Sequence, residues 1–336
     1  MAAQRNFPAS LTLNGGLIAA ALALAIWSLT VGYVPLPPHA IFDALIGHGP
    51  AKIVTIVWEL RAPRIILAYA VGFAMGLAGA VLQGLLRNPL AEPGVVGVTS
   101  SASLGAVIAI YFGLSVTVPL ALPLAGIAGA AVATAILLLV AQRGASPLTL
   151  ILCGIAINGM AVSLVSLAMN LSPNPWAISE IAFWLMGSVR DRSLADVALA
   201  VPMIALGSLV LVPVAPALDA LSLGEDAAES LGFPIARVRL LAIVGTSLAV
   251  GGATAVAGGI SFVGLVVPHL LRPLVGHLPS RLMLPSALGG GLMLVAADMA
   301  IRAIATGPEL GLGVVTALIG TPVFLYLIFQ TRQEMR

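Results

Sequence analysis

Charge is what this sequence has least of. Only 8% of its 336 residues are Asp, Glu, Lys or Arg, against roughly 25% in ordinary soluble domains, while 60% are hydrophobic. A soluble globular protein is excluded. Lysine is nearly absent: Lys52, in Pro50–Ala51–Lys52–Ile53, stands against 14 arginines. A phosphate-binding P-loop needs Gly-Lys-Ser/Thr, so the chain carries no Walker A site of its own. The one cysteine, Cys153, excludes a disulfide within the chain and reads as a small buried apolar residue. A net charge of +2 reflects few charges rather than a basic patch, and nothing supports nucleic-acid binding.

What is present is a series of long uncharged runs: 6–42, 65–86, 93–142, 144–179, 197–218, 240–271, 282–297 and 310–331, counting histidine as neutral. About 202 apolar residues, at about 20 per bilayer span, allow roughly ten spans. The run 93–142 divides near Leu114–Pro119, and 144–179 breaks at Ser172–Pro173–Asn174–Pro175. The spans are then predicted at 16–35, 62–86, 95–113, 118–141, 147–171, 194–214, 238–258, 260–276, 282–303 and 311–330. Runs such as Ala133–Ala141 and Leu240–Val250 are apolar on all sides, unlike the alternating strands of a membrane barrel. The expectation is an all-α polytopic membrane protein, with residues 1–336 forming a single transmembrane domain.

An even number of spans puts both termini on one side, taken as cytoplasmic. Nine basic residues then face the cytoplasm and six (Lys52, Arg61, Arg64, Arg190, Arg192 and Arg302) the outside, a weak positive-inside bias. The first apolar run, Gly16–Val34, is long for a signal core and carries Trp27 and Tyr33, which suits a retained helix. Glycines 72, 76 and 79, 126 and 129, 245, 251 and 252, and 289, 290 and 291 would let helix backbones approach closely.

Between two apolar helices, the segment at about 218–235, LDALSLGEDAAESLGFPI, concentrates Asp219, Glu225, Asp226 and Glu229. Acidic residues favour a helix N-terminus and Gly232 a helix stop, so it reads as two short helices joined at Gly224 that dock a cytoplasmic partner. Polar groups at membrane depth face the bundle interior or a water-filled path; Gln83, Arg87, Asn88, Asn158, Asn170, His269, Arg272 and Asp298 need such a reason. Asp298 and Arg302 are four apart, the spacing of an ion pair on one helix face. The scattered histidines give no metal-ligand spacing, no catalytic constellation is present, and relay residues of a proton-driven carrier are scarce. Energy for transport would have to come from elsewhere.

The motifs then resemble a known family. Arg61–Ala62–Pro63–Arg64, the run GLAGAVLQGLLRNPLAEPGVVGVTSSASLGA (76–106), LSLGEDAAESLG (221–232), GGISFVGLVVPHLLRPLVG (258–276), the Ala297–Asp298 and Arg302 end of the ninth span, and GVVTALIGTPVFLYL (313–327) are similar, in order, to the permeases of ABC importers for vitamin B12, iron-siderophores and haem. The resemblance implies a homodimer with ten spans per subunit, two copies of a separate ATPase that holds the ATP and magnesium, and a substrate-binding protein that delivers cargo. This chain would be no enzyme and would bind no cofactor or metal itself. It would sit, multi-pass and surrounded by lipid, in a bacterial inner membrane.

By the same resemblance, Arg61, Arg64 and Arg302 would receive glutamates of the binding protein. The segment containing Leu223, Gly224, Glu225, Asp226, Glu229 and Gly232, between the sixth and seventh spans, would be the coupling helices. Asn88–Pro89–Leu90 and Ala145–Ser146 would form cytoplasmic constrictions, although Ala145 departs from the hydroxyl residue expected there. Asn158, Met160, Met169 and Asn170 are expected to line the path, methionine suiting a bulky ligand because it repacks easily. Haem, a ferric siderophore and cobalamin all stay open, with an iron chelate or haem preferred as cargo of the commoner members. The alternatives are an ATPase-independent secondary transporter or channel of another fold and, for want of residues, more remotely a membrane-embedded enzyme.

Overall fold

The computed structural model describes residues 7–32, 34–118, 120–142, 146–172, 174–304 and 309–334, and every regular element among them is helical. Helix α1 (Phe7–Thr30) precedes the short α2 (Pro38–Leu45) and α3 (Ala51–Thr55); a π-helical turn over Ile56–Arg61 then runs directly into α4 (Ala62–Leu85). Next come α5 (Val98–Tyr111), the single turn α6 (Leu114–Thr117), α7 (Ala121–Ala141), α8 (Pro147–Asn170), α9 (Pro175–Leu185) and α10 (Leu194–Leu211). Two short helices, α11 (Ala215–Leu221) and α12 (Glu225–Ser230), lead to α13 (Ile235–Ala257). The chain closes with α14 (Val263–Leu271), α15 (Pro279–Ile304) and α16 (Leu312–Glu334).

All ten apolar segments read from the sequence are helical along most of their length. Seven helical stretches are long and apolar enough to cross a membrane; Val98–Tyr111, Val263–Val275 and Leu312–Leu325 are apolar but shorter. Three features went unforeseen: α2 with α3, the π turn, and α9. The Ser172–Asn174 break ends one helix and also starts the next. Asn174 Oδ1 accepts the Ala177 N–H at 2.9 Å, and Pro175 occupies the first turn, where its missing N–H costs nothing. Ser193 and Asp196 close a reciprocal capping box on α10, satisfying two donors that the helix start would leave orphaned.

Helices α4 and α13 form the centre. In each, 78% of the most apolar window is buried, against 6% for α1 at the periphery. Lipid gives helices no hydrophobic drive to associate, so close backbone packing must supply it, and glycine makes that possible. On α4, a Cβ at Gly72 would overlap the Gly290 carbonyl oxygen, and one at Gly76 the Ser286 carbonyl oxygen, both on α15. The two helices therefore run against each other backbone to backbone. The end of α4 meets α11 and the start of α15, where Gly84 lies against Leu218 and Pro279. At 24 residues, α4 spans about 36 Å, so these two helices connect the two ends of the molecule. Gly72→Ala is expected to destabilise the protein by about 2 kcal/mol through overpacking, read as a lowered melting temperature in detergent. Gly15→Ala, which would meet no atom within 4 Å, should leave it unchanged or raised.

Candidate functional site

Three of the arginines expected on the outer side, Arg61, Arg64 and Arg302, gather where α4 begins and α15 ends. Asp298, 2% exposed, bridges two of them: Oδ1 accepts Arg64 Nε–H at 2.9 Å and Oδ2 accepts Arg302 Nε–H at 3.0 Å. Arg64 also donates both terminal nitrogens to Glu309, at 3.3 and 2.7 Å, a bidentate pairing that fixes geometry as well as charge. Arg302 Nη1 donates to the Ser28 and Val31 carbonyls at 3.0 and 2.6 Å, and Nη2 to Ser28 Oγ. Arg61 donates to the Leu29 and Val34 carbonyls. The carbonyls in the last turn of a helix have no partners within it, and here two guanidinium groups take up those at the end of α1, where positive charge is favoured. The expected i,i+4 pair of Asp298 and Arg302 is present, within a larger network.

Arg61, Arg64, Arg302 and Glu309 line an open cavity of about 440 Å³. Five arginines (61, 64, 190, 192 and 302) and three carboxylates (Glu59, Asp191 and Glu309) face it, so its charge is weakly positive. Arg190 pairs with Asp191 at 3.0 Å on an exposed edge, an interaction that contributes little. Arg192 lies over the Trp184 ring, 5.0 Å from its centroid. None of the sequence motifs pointed to Glu309, Arg190 or Arg192 as members. The three arginines assigned to docking are thus not free charges awaiting a partner: each is engaged within the chain, and Arg61 and Arg302 are largely buried.

The acidic segment lies at the other end. Gly224, at φ +114°, turns the chain between α11 and α12, in a region that disfavours side chains. Leu223 is 71% exposed and Leu231 62%, and Asp226 and Glu229 are exposed beside them. Glu225 is turned inward: it pairs with Arg239 of α13 at 2.7 Å. Asp219 accepts the Ser280 N–H and hydroxyl at 2.8 and 2.6 Å, tying α11 to the start of α15. Of the acidic residues singled out as a partner surface, Asp226 and Glu229 present themselves outward, whereas Glu225 holds α12 onto α13. Gly232 ends α12's turn at φ +88°.

The gate and path residues scatter more than the spacing suggests. Asn88 Oδ1 accepts the Leu90 N–H at 2.9 Å, a local turn across Pro89 that follows Arg87 at φ +50°. Ser146 caps α8 by accepting the Thr149 N–H at 3.2 Å; Ala145 lies outside the described residues. On α8, Asn158 and Met169 are about three turns apart and share a side, and Met169 packs among Ala106, Ile110, Val165 and Trp184. Met160 is 63% exposed and faces away from them. Asn170 is exposed and donates to the Ser166 carbonyl at 2.9 Å. The four do not line one face.

A further carboxylate escaped the sequence reading. Glu92 Oε2 accepts the N–H of Phe262 at 3.2 Å, which joins the turn after α4 to the start of α14. Burial holds its carboxyl above the usual range, and the Phe262 hydrogen bond opposes that shift. Nearby, Gln83 donates to the Gly264 carbonyl at 3.3 Å and accepts from Arg272, an interhelical role for a polar group at membrane depth.

Comparison with known proteins places these features in a context. A sequence profile of the FecCD transport family matches residues 20–330. The vitamin B12 import system permease protein BtuC of Vibrio cholerae is 39% identical over 327 residues, covering 95% of this chain and 94% of that protein. The cobalamin import system permease protein BtuC of Halobacterium salinarum is 40% identical over 302 residues, covering 88% and 80%. A solved structure titled as an inward-facing conformation of a metal-chelate type ABC transporter aligns with a TM-score of 0.84 at 32% identity, covering 95% of this chain and 99% of that one. Independently of these likenesses, Asp298→Ala should cost about 3 kcal/mol, since it leaves the buried Arg302 guanidinium without a carboxylate while Arg64 keeps Glu309. Arg190→Ala should stay within about 0.5 kcal/mol; thermal unfolding in detergent separates the two.

Proposed function

The chain belongs to the FecCD transport family, and from that membership we propose that it is the permease subunit of an ATP-driven ABC importer for a bulky metal chelate. In this reading two copies form the membrane pathway in the bacterial inner membrane, ten helices each and with cytoplasmic termini. Two separate ATPase subunits hold the ATP and magnesium, and a substrate-binding protein delivers cargo. This chain supplies no catalysis and binds no nucleotide.

The observation that carries the reading is the separation of two charged surfaces by a rigid pair of helices. The arginine cavity, with its excess of positive charge, suits an acidic protein surface, because complementary charge steers docking and sets its register. Arg64 and Arg190 are the members best placed to meet incoming carboxylates; Arg61 and Arg302 shape the cavity and hold α1. At the other end, Leu223, Asp226, Glu229 and Leu231 form the coupling surface for the ATPase, with Glu225 as its brace. ATP-driven closure of the ATPase pair acts there as a bias on a two-state membrane element. Asn88–Pro89–Leu90 and Ser146 sit at helix boundaries, where, together with Ala145, they would form a cytoplasmic constriction. Exposed Met160 and Asn170 on α8 are path candidates once a second copy is present.

Cobalamin is the first choice of cargo. Two relatives at about two-fifths identity are named for vitamin B12 or cobalamin import, and they outweigh the commonness of iron and haem importers. The test is reconstitution of the permease with its ATPase and binding protein in proteoliposomes, with cobalamin, haem and a ferric siderophore offered in parallel. ATP-dependent cobalamin uptake is expected. Uptake by the permease alone down an ion gradient would overturn the importer reading, and uptake of haem instead would change only the cargo. Leu223→Asp should lower ATP-dependent uptake by about tenfold or more, as loss of an apolar anchor at an interface does, with the permease dimer intact by size-exclusion chromatography.

A further inference from the structure

Glu309 occupies the guanidinium that a docking carboxylate would need. It meets Arg64 in a bidentate pairing, and both residues line the open cavity. The two carboxylates on Arg64 differ in where they are anchored. Asp298 lies within α15, is nearly fully buried and is shared with Arg302. Glu309 lies in the connection between α15 and α16, and among the described residues its hydrogen bonds to a cation go to Arg64 alone. Displacing Asp298 would strand Arg302; displacing Glu309 exchanges one carboxylate for another.

The backbone just beyond Glu309 gives that exchange a consequence. The Leu312 N–H donates to the Gly187 carbonyl at 2.8 Å and the Gly313 N–H to the Met186 carbonyl at 3.1 Å. These bonds seat the first turn of α16 on the end of α9, only a few residues from Glu309. Beyond them Val314, Ala317, Leu318, Thr321 and Pro322 of α16 face a second cavity of about 650 Å³. Motion of the connection therefore reaches a helix that borders an open groove.

We propose that Glu309 is a resident competitor at Arg64, standing where a carboxylate of the acidic partner binds, and that docking displaces it and loosens the seat of α16. The inference rests on the docking reading of the arginine cavity. It makes docking a competition between one intramolecular and one intermolecular carboxylate. The tether favours Glu309 through its high effective concentration, and the partner prevails by the number of contacts it brings.

The experiment uses the reconstituted permease–ATPase complex without nucleotide and the ligand-free binding protein of the same system, with docking affinity as the readout. Arg64→Ala should weaken docking at least about tenfold. Glu309→Gln should tighten it by about three- to tenfold, since a neutral amide competes less well than a carboxylate. Glu309→Asp, which keeps the charge, should stay near the wild type. Weakened docking in Arg64→Ala with no tightening in Glu309→Gln overturns the competitor and leaves the docking site standing. Unchanged docking in Arg64→Ala overturns the docking reading itself. Should Glu309→Gln fail to assemble, hydrogen exchange in the unmodified complex decides: the Leu312 and Gly313 amides exchange faster on docking if Glu309 is displaced, and unchanged or slower exchange contradicts it.

Discussion

The bridging of Arg64 and Arg302 by one buried carboxylate, Asp298, is the interaction on which the rest of the structure depends. A lone charge at such a site would be severely penalised, and pairing with further hydrogen bonds is what makes it tolerable. Here the remaining donors of the two arginines are used to fasten other parts: Glu309 before α16, and the carbonyls at the end of α1. One carboxylate thereby organises the ends of α1, α4 and α15 and the approach to α16. The same arrangement leaves guanidinium groups lining an open cavity, so in the importer reading stability and recognition draw on a single set of charges.

The far end repeats this economy with different partners. Asp219 ties α11 to the start of α15 through Ser280, and Glu225 ties α12 to α13 through Arg239. The exposed leucines of the segment are held in place by carboxylates that themselves point inward. Between the two ends, α4 and α15 pack backbone against backbone at Gly72, Gly76, Ser286 and Gly290, which leaves no compressible layer of side chains between them. In the importer reading, force applied near Leu223 is passed along a stiff pair of rods, and closely packed interiors transmit displacement rather than absorb it.

The helical segments were legible in the sequence because long uncharged runs have few alternatives in a bilayer, and helix is the form that satisfies its own backbone. The short helices α2, α3 and α9 were not, whereas two short helices about Gly224 were read from the acidic segment. The break before α9 depends on Asn174 turning back to cap Ala177, and a proline-rich break looks the same whether or not a helix comes after it. Arg61, Arg64 and Arg302 could be picked out by the family resemblance, but their engagement could not, because the carbonyls they bind lie in α1 and depend on how α1 docks. Glu309 did leave a trace: only Asp298, Arg302 and Glu309 carry charge between Arg281 and Arg332, and so sparse a set invites the question of which neutralises which. The pairing of Glu225 left no such trace: a helix start and a partner surface each explain an acidic residue there, and Arg239 lies 14 positions further along the chain.

The central claim is that an outer arginine cavity and an opposite coupling surface belong to one transport cycle. It is tested most directly by the ATPase rate of the reconstituted complex as the binding protein is titrated onto the opposite side of the membrane. The account predicts a saturable change in rate that is lost when Arg64 and Arg190 are both replaced by alanine. A rate indifferent to the binding protein, in a complex that retains its ATPase subunits, would contradict it.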